Sequence, residues 1–173
     1  MGRVTFILGG ARSGKSSYAL EIARASGRRK VAFIATCEAL DNEMARRIAL
    51  HKKSRPASWK TFDEPRRVAA LLEKIEGKFE YIVLDCLTLL VSNLFLAGKS
   101  GGAIEKEIVR IFSALKKSGA DAAIVSNEVG LGIVPERPVA RGFRDIAGRV
   151  NQLAAKAADE VCLMVAGIPR RIK

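Results

Sequence analysis

Val4-Thr5-Phe6-Ile7-Leu8-Gly9-Gly10-Ala11-Arg12-Ser13-Gly14-Lys15-Ser16 decides the fold. Val4–Leu8 is a short apolar run, and the eight residues that follow fit G-x-x-x-x-G-K-[ST]. Lys15–Ala25 then has helical spacing through Tyr18, Ile22 and Ala25. A strand before and a helix after is the setting in which such a loop works. Its backbone N–H groups, Gly9, Gly10, Ala11, Arg12, Ser13 and Gly14 among them, ring a phosphate at a helix N-terminus. In that reading Lys15 neutralises β- and γ-phosphate oxygens and the Ser16 hydroxyl ligates Mg²⁺.

Outward from this loop, short apolar runs alternate with helical spacing. Val31–Ala35, Tyr81–Leu84, Ala122–Val125 and Val161–Val165 read as further strands, and Ile168–Lys173 as a sixth. The intervening helices are expected over Asp41–Lys53 (ended by Arg55-Pro56), Pro65–Ile75, Leu87–Leu96, Ile104–Lys117 and Phe143–Ala158. Continuously apolar strands separated by helices indicate α/β architecture: one P-loop, RecA-like domain over residues 1–173, a mostly parallel sheet flanked by helices. Ligands of such sheets bind beyond the carboxyl ends of the strands. Thr36, Asp85 and Asn127-Glu128 stand at those ends, beside the loop.

The composition agrees. With 49% hydrophobic and 28% charged residues, the 173-residue chain is globular rather than disordered. No apolar run approaches the ~18–20 residues of a membrane helix, and neither a signal peptide nor a myristoylation signal is expected. The net charge of +12 comes from scattered doublets such as Arg28-Arg29, Lys52-Lys53 and Arg170-Arg171, and aromatics are only 6%. That pattern reads as solvated surface plus a phosphate-handling site, with no nucleic-acid face. Three widely spaced cysteines, Cys37, Cys86 and Cys162, make neither a disulfide framework nor a zinc site and fit a reducing cytoplasm. Cys86 and Cys162 read as small core residues, and Cys37 as a residue that can line a site.

Two single residues carry chemistry. Asp85 ends a strand where a P-loop fold holds the Mg²⁺ carboxylate, although it also suits the N-cap of the helix from Leu87. His51, the only histidine, shares a helical face with Met44 and Ile48. It reads either as a partly buried structural histidine or as a nucleophile. The cations Arg46, Arg47, Lys52, Lys53 and Arg55 around it favour a neutral imidazole, which is competent to attack phosphorus.

Further blocks sharpen the reading. They are Ile34-Ala35-Thr36, Asp41-x-Glu43-Met44, Arg47-Ile48-x-x-His51, Arg55-Pro56-x-x-Trp59-x-Thr61, Asp85-Cys86-Leu87-Thr88, Ser92-Asn93-Leu94, Ser126-Asn127-Glu128-Val129-Gly130-Leu131-Gly132-Ile133-Val134-Pro135, and Phe143-Arg144-Asp145-x-x-Gly148-x-x-Asn151-Gln152. In this order they resemble the bifunctional adenosylcobinamide kinase/adenosylcobinamide-phosphate guanylyltransferase family of cobalamin biosynthesis. The resemblance implies that ATP or GTP phosphorylates adenosylcobinamide. GTP then guanylylates a histidine, and the GMP passes to adenosylcobinamide phosphate.

By the same resemblance the catalytic residues are His51 and Lys15. Nucleotide contacts fall on Gly9–Ser16, on Ala35, Thr36 and Cys37, on Lys52, Lys53, Ser54 and Arg55, and on Asp63 and Asp85. Ser16 and Asp85 hold the metal. The family has Glu where this chain has Asp63, with Glu64 adjacent. A homotrimer is also implied, and no membrane anchor. The competing readings are a generic P-loop small-molecule kinase with a structural histidine, and a RecA-like NTPase stimulated by nucleic acid. For His51 to reach an α-phosphorus, the helix over Asp41–Lys53 is expected to fold over the loop.

Overall fold

Each apolar run can be covered on both faces only inside a helix-flanked sheet, and this is the arrangement found. A computed structural model describes residues 2–38, 52 and 55–173. Along the chain the elements are β1 (Val4–Gly9), α1 (Lys15–Ala25), β2 (Val31–Ala35), β3 (Lys60–Asp63), α2 (Val68–Lys74), β4 (Tyr81–Asp85), α3 (Leu87–Leu96), α4 (Gly101–Ser118), β5 (Asp121–Asn127), α5 (Pro138–Ala157), β6 (Glu160–Val165) and β7 (Ile168–Arg171). The helix expected over Asp41–Lys53, with His51, Lys53 and Ser54, lies outside the described residues.

The sheet order is β3-β2-β4-β5-β1-β6-β7, parallel throughout except for the antiparallel β6–β7 pair. The strand that carries the loop, β1, and the strand that ends in Asp85, β4, are therefore not neighbours. β5 runs between them and brings Asn127 level with Gly9. Neighbouring residues of each strand serve opposite faces. Phe6, Ile34, Leu84 and Ile124 enter the larger core, under α2–α5, while Ile7, Phe33, Val83 and Val125 face the smaller one with Ala19, Leu20 and Ala23 of α1. In α4 the buried residues Ile104, Ile108, Ile111, Phe112 and Leu115 form one stripe. Burying each contributes about 1.5–3 kcal/mol, so this stripe and not helix propensity holds α4 down. Among the described residues no helix is long and apolar enough to cross a membrane.

Several boundaries differ from the sequence reading. β3 was not expected; its exposed-intermediate-intermediate-exposed pattern has no apolar run, and it forms because β2 offers it an edge. α2 begins at Val68, not Pro65, because Glu64 Oε1 accepts from the N–H groups of Arg66 (3.1 Å) and Arg67 (2.8 Å) and holds a turn there. α4 starts at Gly101, where Ser100 caps it by accepting from the Ala103 N–H at 3.3 Å. α5 starts at Pro138, a residue suited to the first helical turn, rather than at Phe143.

The β6–β7 hairpin turns through Ala166 (φ 49°) and Gly167 (φ 83°), the two positive φ values that a two-residue turn of this hand needs. Beyond β7, Lys173 Nζ donates to the carbonyls of Ala155 (3.0 Å), Lys156 (3.2 Å) and Ala158 (2.6 Å), at the end of α5. It satisfies acceptors a helix end leaves open, and its charge opposes the helix dipole. Lys173→Ala is expected to cost about 0.5–1 kcal/mol. The melting temperature should drop by about 1–4 °C. An unchanged melting curve would show the cap to be energetically idle.

Candidate active site

The loop between β1 and α1 is shaped by its glycines. Gly14 precedes α1 with φ 93°, and a Cβ there would lie 3.2 Å from Gly167 Cα. At Gly9 a Cβ would approach the Met164 carbonyl oxygen to 2.6 Å. Neither position accepts a side chain without moving backbone. Gly167 also donates its N–H to the Ser13 carbonyl at 3.0 Å, so the β6–β7 turn braces the loop from outside.

Lys15 opens α1 and is 7% exposed. Its Nζ donates to the Gly10 carbonyl and, at 3.4 Å, to Ser13 Oγ. Burial lowers its pKa from the ordinary lysine value, while Cys86 and Asp85 act to raise it. A buried ammonium held by one carbonyl and one long hydroxyl contact is poised to exchange those partners for an anion.

Opposite the loop, Asp85 ends β4, level with Ala35 of β2 and Val125 of β5. The N-cap position of α3 belongs to Cys86, without a side-chain cap bond, so Asp85 does not serve as that cap. The Asp85–Cys86 peptide is cis. Thr36, fully buried, locks the two strand ends together. Its Oγ1 accepts from the Cys86 N–H and donates to the Cys86 carbonyl, both at 2.8 Å. Asn93 Nδ2 donates to the Thr36 carbonyl at 2.8 Å and the Pro65 carbonyl at 2.9 Å.

Arg55 carries a different signal. Its guanidinium carbon sits 3.6 Å from the centre of the Phe33 ring. Nε and Nη1 are buried with no hydrogen-bond partner among the described residues. Burial lowers its pKa, with Asp85 and then Asp63 opposing. Buried donors are almost always satisfied, so two orphaned donors on one cation mark a place where an anion completes the site.

Arg55, the loop and the ends of β2, β4 and β5 enclose a cavity of about 550 Å³. Of the residues expected at the site from the sequence, Ala11, Arg12, Ser13, Gly14, Lys15, Ser16, Ala35, Cys37, Arg55 and Asp85 line it. Gly9 and Thr36 are buried and Gly10 is exposed, and none of the three lines it. Lys52 and Asp63 pair with each other at 2.8 Å, both exposed, and Glu64 is engaged in its turn. The sequence set did not include Ser17, Cys86, Thr88, Leu89, Val125 and Asn127, which complete the lining. The rule that sites lie at strand ends does reach Asn127. Cys86, read from the sequence as a core residue, packs against the smaller core yet borders the cavity, because strand β4 ends one residue before it. Burial pushes its thiol up to about 12, so it stays protonated.

No group of three or more His, Cys, Asp or Glu residues is suited to a metal among the described residues. The donors present are the Ser16 hydroxyl and the Asp85 carboxylate, both on the cavity wall. That sparse, hard-oxygen pair fits Mg²⁺, which takes one or two carboxylates and draws its remaining ligands from phosphate and water.

A phosphate-binding loop between a buried strand and a helix, facing a carboxylate two strands away, defines a P-loop nucleotide-binding protein. Which one is settled by the rest of the chain. It belongs to the cobinamide kinase/cobinamide phosphate guanyltransferase (CobU) family, whose model matches residues 5–172. It is 44% identical to the bifunctional adenosylcobalamin biosynthesis protein CobU of Salmonella typhimurium, over 96% of this chain and 98% of the relative. It is 41% identical to CobU of Escherichia coli (96% and 98%) and to the bifunctional protein CobP of Pseudomonas aeruginosa (96% and 95%).

Proposed function

We propose that this chain, as a single domain over residues 1–173, catalyses two successive transfers in adenosylcobalamin biosynthesis. In the first, the aminopropanol hydroxyl of adenosylcobinamide attacks the γ-phosphorus of ATP or GTP. The bond to the β–γ bridging oxygen breaks, the nucleoside diphosphate leaves, and the hydroxyl proton is released to water. In the second, an imidazole nitrogen of His51 attacks the α-phosphorus of GTP and expels pyrophosphate. The phosphate of adenosylcobinamide phosphate then attacks that GMP phosphorus, forming adenosylcobinamide-GDP and freeing the imidazole.

The observation that carries this reading is the pairing of the phosphate loop with the orphaned Arg55 guanidinium across one cavity. Lys15 offsets the triphosphate charge in both transfers, and Arg55 supplies a second cation from the opposite wall. Ser16 and Asp85 would hold Mg²⁺, which neutralises phosphate charge when bound. Three free cysteines fit a cytoplasmic protein. By family resemblance the assembly is a homotrimer, with no nucleic-acid partner.

The test is intact mass after incubation with GTP and Mg²⁺, followed by peptide mapping. A GMP adduct on the His51 peptide supports the reading, and an unmodified, fully folded protein overturns the covalent step. Metal use is checked separately. Asp85→Asn keeps the shape but removes the charge, and Mg²⁺-dependent turnover should fall about 100-fold or more with the fold intact. Half-saturation should shift to higher Mg²⁺. Normal turnover would assign Asp85 to the strand end alone.

A further inference from the structure

The end of β5 is built with more polar care than a strand end requires. The Asn127 N–H donates to Thr88 Oγ1 at 2.6 Å, and its carbonyl accepts from Asn151 Nδ2 at 3.1 Å. Those partners are tied together in turn. Thr88 Oγ1 and Ser126 Oγ are 3.0 Å apart, and Ser126 Oγ donates to Asn151 Oδ1 at 2.7 Å. Thr88, Ser126 and Asn151 are all buried, at 7%, 1% and 6% exposure. Three buried polar side chains from three elements are thus committed to fixing the backbone of one residue. Such a network is tolerated in a core only when its members satisfy one another.

The side chain of Asn127 takes no part in this. It makes no hydrogen bond among the described residues, and Asn127 lines the cavity. Its place there is specific. On one side it pairs with Gly9, where the phosphate loop begins, and the Glu128 N–H donates to the Gly9 carbonyl at 2.9 Å. On the other side, Val125 two residues earlier pairs with Asp85. Asn127 therefore stands between the loop and the carboxylate, at the phosphate end of the cavity.

We infer that Asn127 is a further catalytic residue of the kinase transfer, its side-chain amide donating a hydrogen bond to the γ-phosphoryl group as it passes to the acceptor hydroxyl; this rests on the function proposed above. Attack by the hydroxyl oxygen forms the new P–O bond while the bond to the β–γ bridging oxygen breaks. The electron pair leaves with the diphosphate, and the hydroxyl proton goes to water. During the transfer, charge is spread over the three equatorial oxygens of the moving group. A neutral donor stabilises that charge without adding another cation to a cavity that already holds Lys15, Arg12 and Arg55. The Thr88–Ser126–Asn151 network fixes the backbone from which that donor extends, which leaves only side-chain rotation to be ordered. In the guanylyl transfer the γ-phosphate is remote from the reacting phosphorus, so Asn127 matters less there.

The experiment compares the full chain with Asn127→Ala and Asn127→Asp, measuring adenosylcobinamide phosphorylation and GTP-dependent self-labelling side by side. The expected result for Asn127→Ala is a phosphorylation kcat lower by about 100-fold, with nucleotide KM changed less than about threefold. Self-labelling should fall by less than about tenfold. Asn127→Asp, which is isosteric and keeps an acceptor but no donor, should lose at least as much phosphorylation as the alanine variant. It also provides the test if the alanine variant fails to fold. Phosphorylation by Asn127→Ala close to the parent rate would overturn the inference. An aspartate variant more active than alanine would overturn the donor role, and equal loss of both activities would make Asn127 a general nucleotide contact. A parent chain inert toward adenosylcobinamide would instead remove the proposed function, and this inference with it.

Discussion

Replacing Lys15 with alanine is expected to lower adenosylcobinamide phosphorylation and GTP-dependent self-labelling together, each by about a thousandfold or more. The reason is geometric. Lys15 is the buried cation of the only phosphate loop among the described residues, and that loop must hold the triphosphate in both transfers. Removing the ammonium also frees the Gly10 carbonyl and Ser13 Oγ, but Gly10 is exposed and Ser13 lines the cavity, so both can be hydrated and the fold should persist. A pH signature accompanies the loss. In the free protein burial lowers the Lys15 pKa, whereas a bound polyphosphate favours the ammonium. Binding therefore takes up protons, and affinity should weaken as pH rises through that lowered pKa. The alanine variant should lose this dependence. Steady-state kinetics and titration of a labelled nucleotide read both effects. Self-labelling that survived at the parent rate would require a second triphosphate site.

Replacing His51 with asparagine is expected to split the two activities. The kinase transfer needs no protein nucleophile, whereas the guanylyl transfer as proposed does. The GMP adduct should disappear and adenosylcobinamide-GDP should not form, while adenosylcobinamide phosphate still accumulates, more slowly. The position of the histidine in the chain supports this. The next residue, Lys52, pairs with Asp63 at the end of β3, and four positions on, Arg55 lines the cavity. In the parent protein the adduct would be a phosphoramidate, labile to acid and stable to alkali. An acid-stable adduct would move the nucleophile to a lysine or hydroxyl, with Lys52 and Lys53 the nearest. Loss of both activities in a folded variant would make His51 a general nucleotide contact.

The central strands and the phosphate loop were legible in the sequence because burial on both faces leaves unbroken apolar runs such as Tyr81–Leu84, and because the glycines that shape a loop are themselves the motif. β3 was not legible. An edge strand buries little, and Lys-Thr-Phe-Asp carries no period of two strong enough to read. It is nevertheless the strand that supplies Asp63 to Lys52. The early starts of α4 and α5 were hidden for a related reason: Gly101-Gly102, Pro138 and Gly142 look like breaks, yet a serine cap and a proline in the first turn make them helical. Within the site, the reading found residues whose type names their chemistry, Lys15, Ser16 and Asp85. It did not foresee that Lys52 and Asp63 would pair with each other, or that Arg55 would lie over Phe33 with two donors unused. Those facts depend on side-chain neighbours brought together from distant parts of the chain.

The bond from the Gly167 N–H to the Ser13 carbonyl joins residues from nearly opposite ends of the numbering. Lys173 likewise secures α5, whose Asn151 holds the strand end at Asn127. The motif that announces itself over Gly9–Ser16 is therefore completed by contacts made about 150 residues further on. Parallel sheets with such distant pairings form slowly, because the chain must close long loops before the contacts reward it. During synthesis, the early strands leave the ribosome well before the hairpin that braces the loop. Bracing of the loop then waits until the chain has been made as far as Gly167.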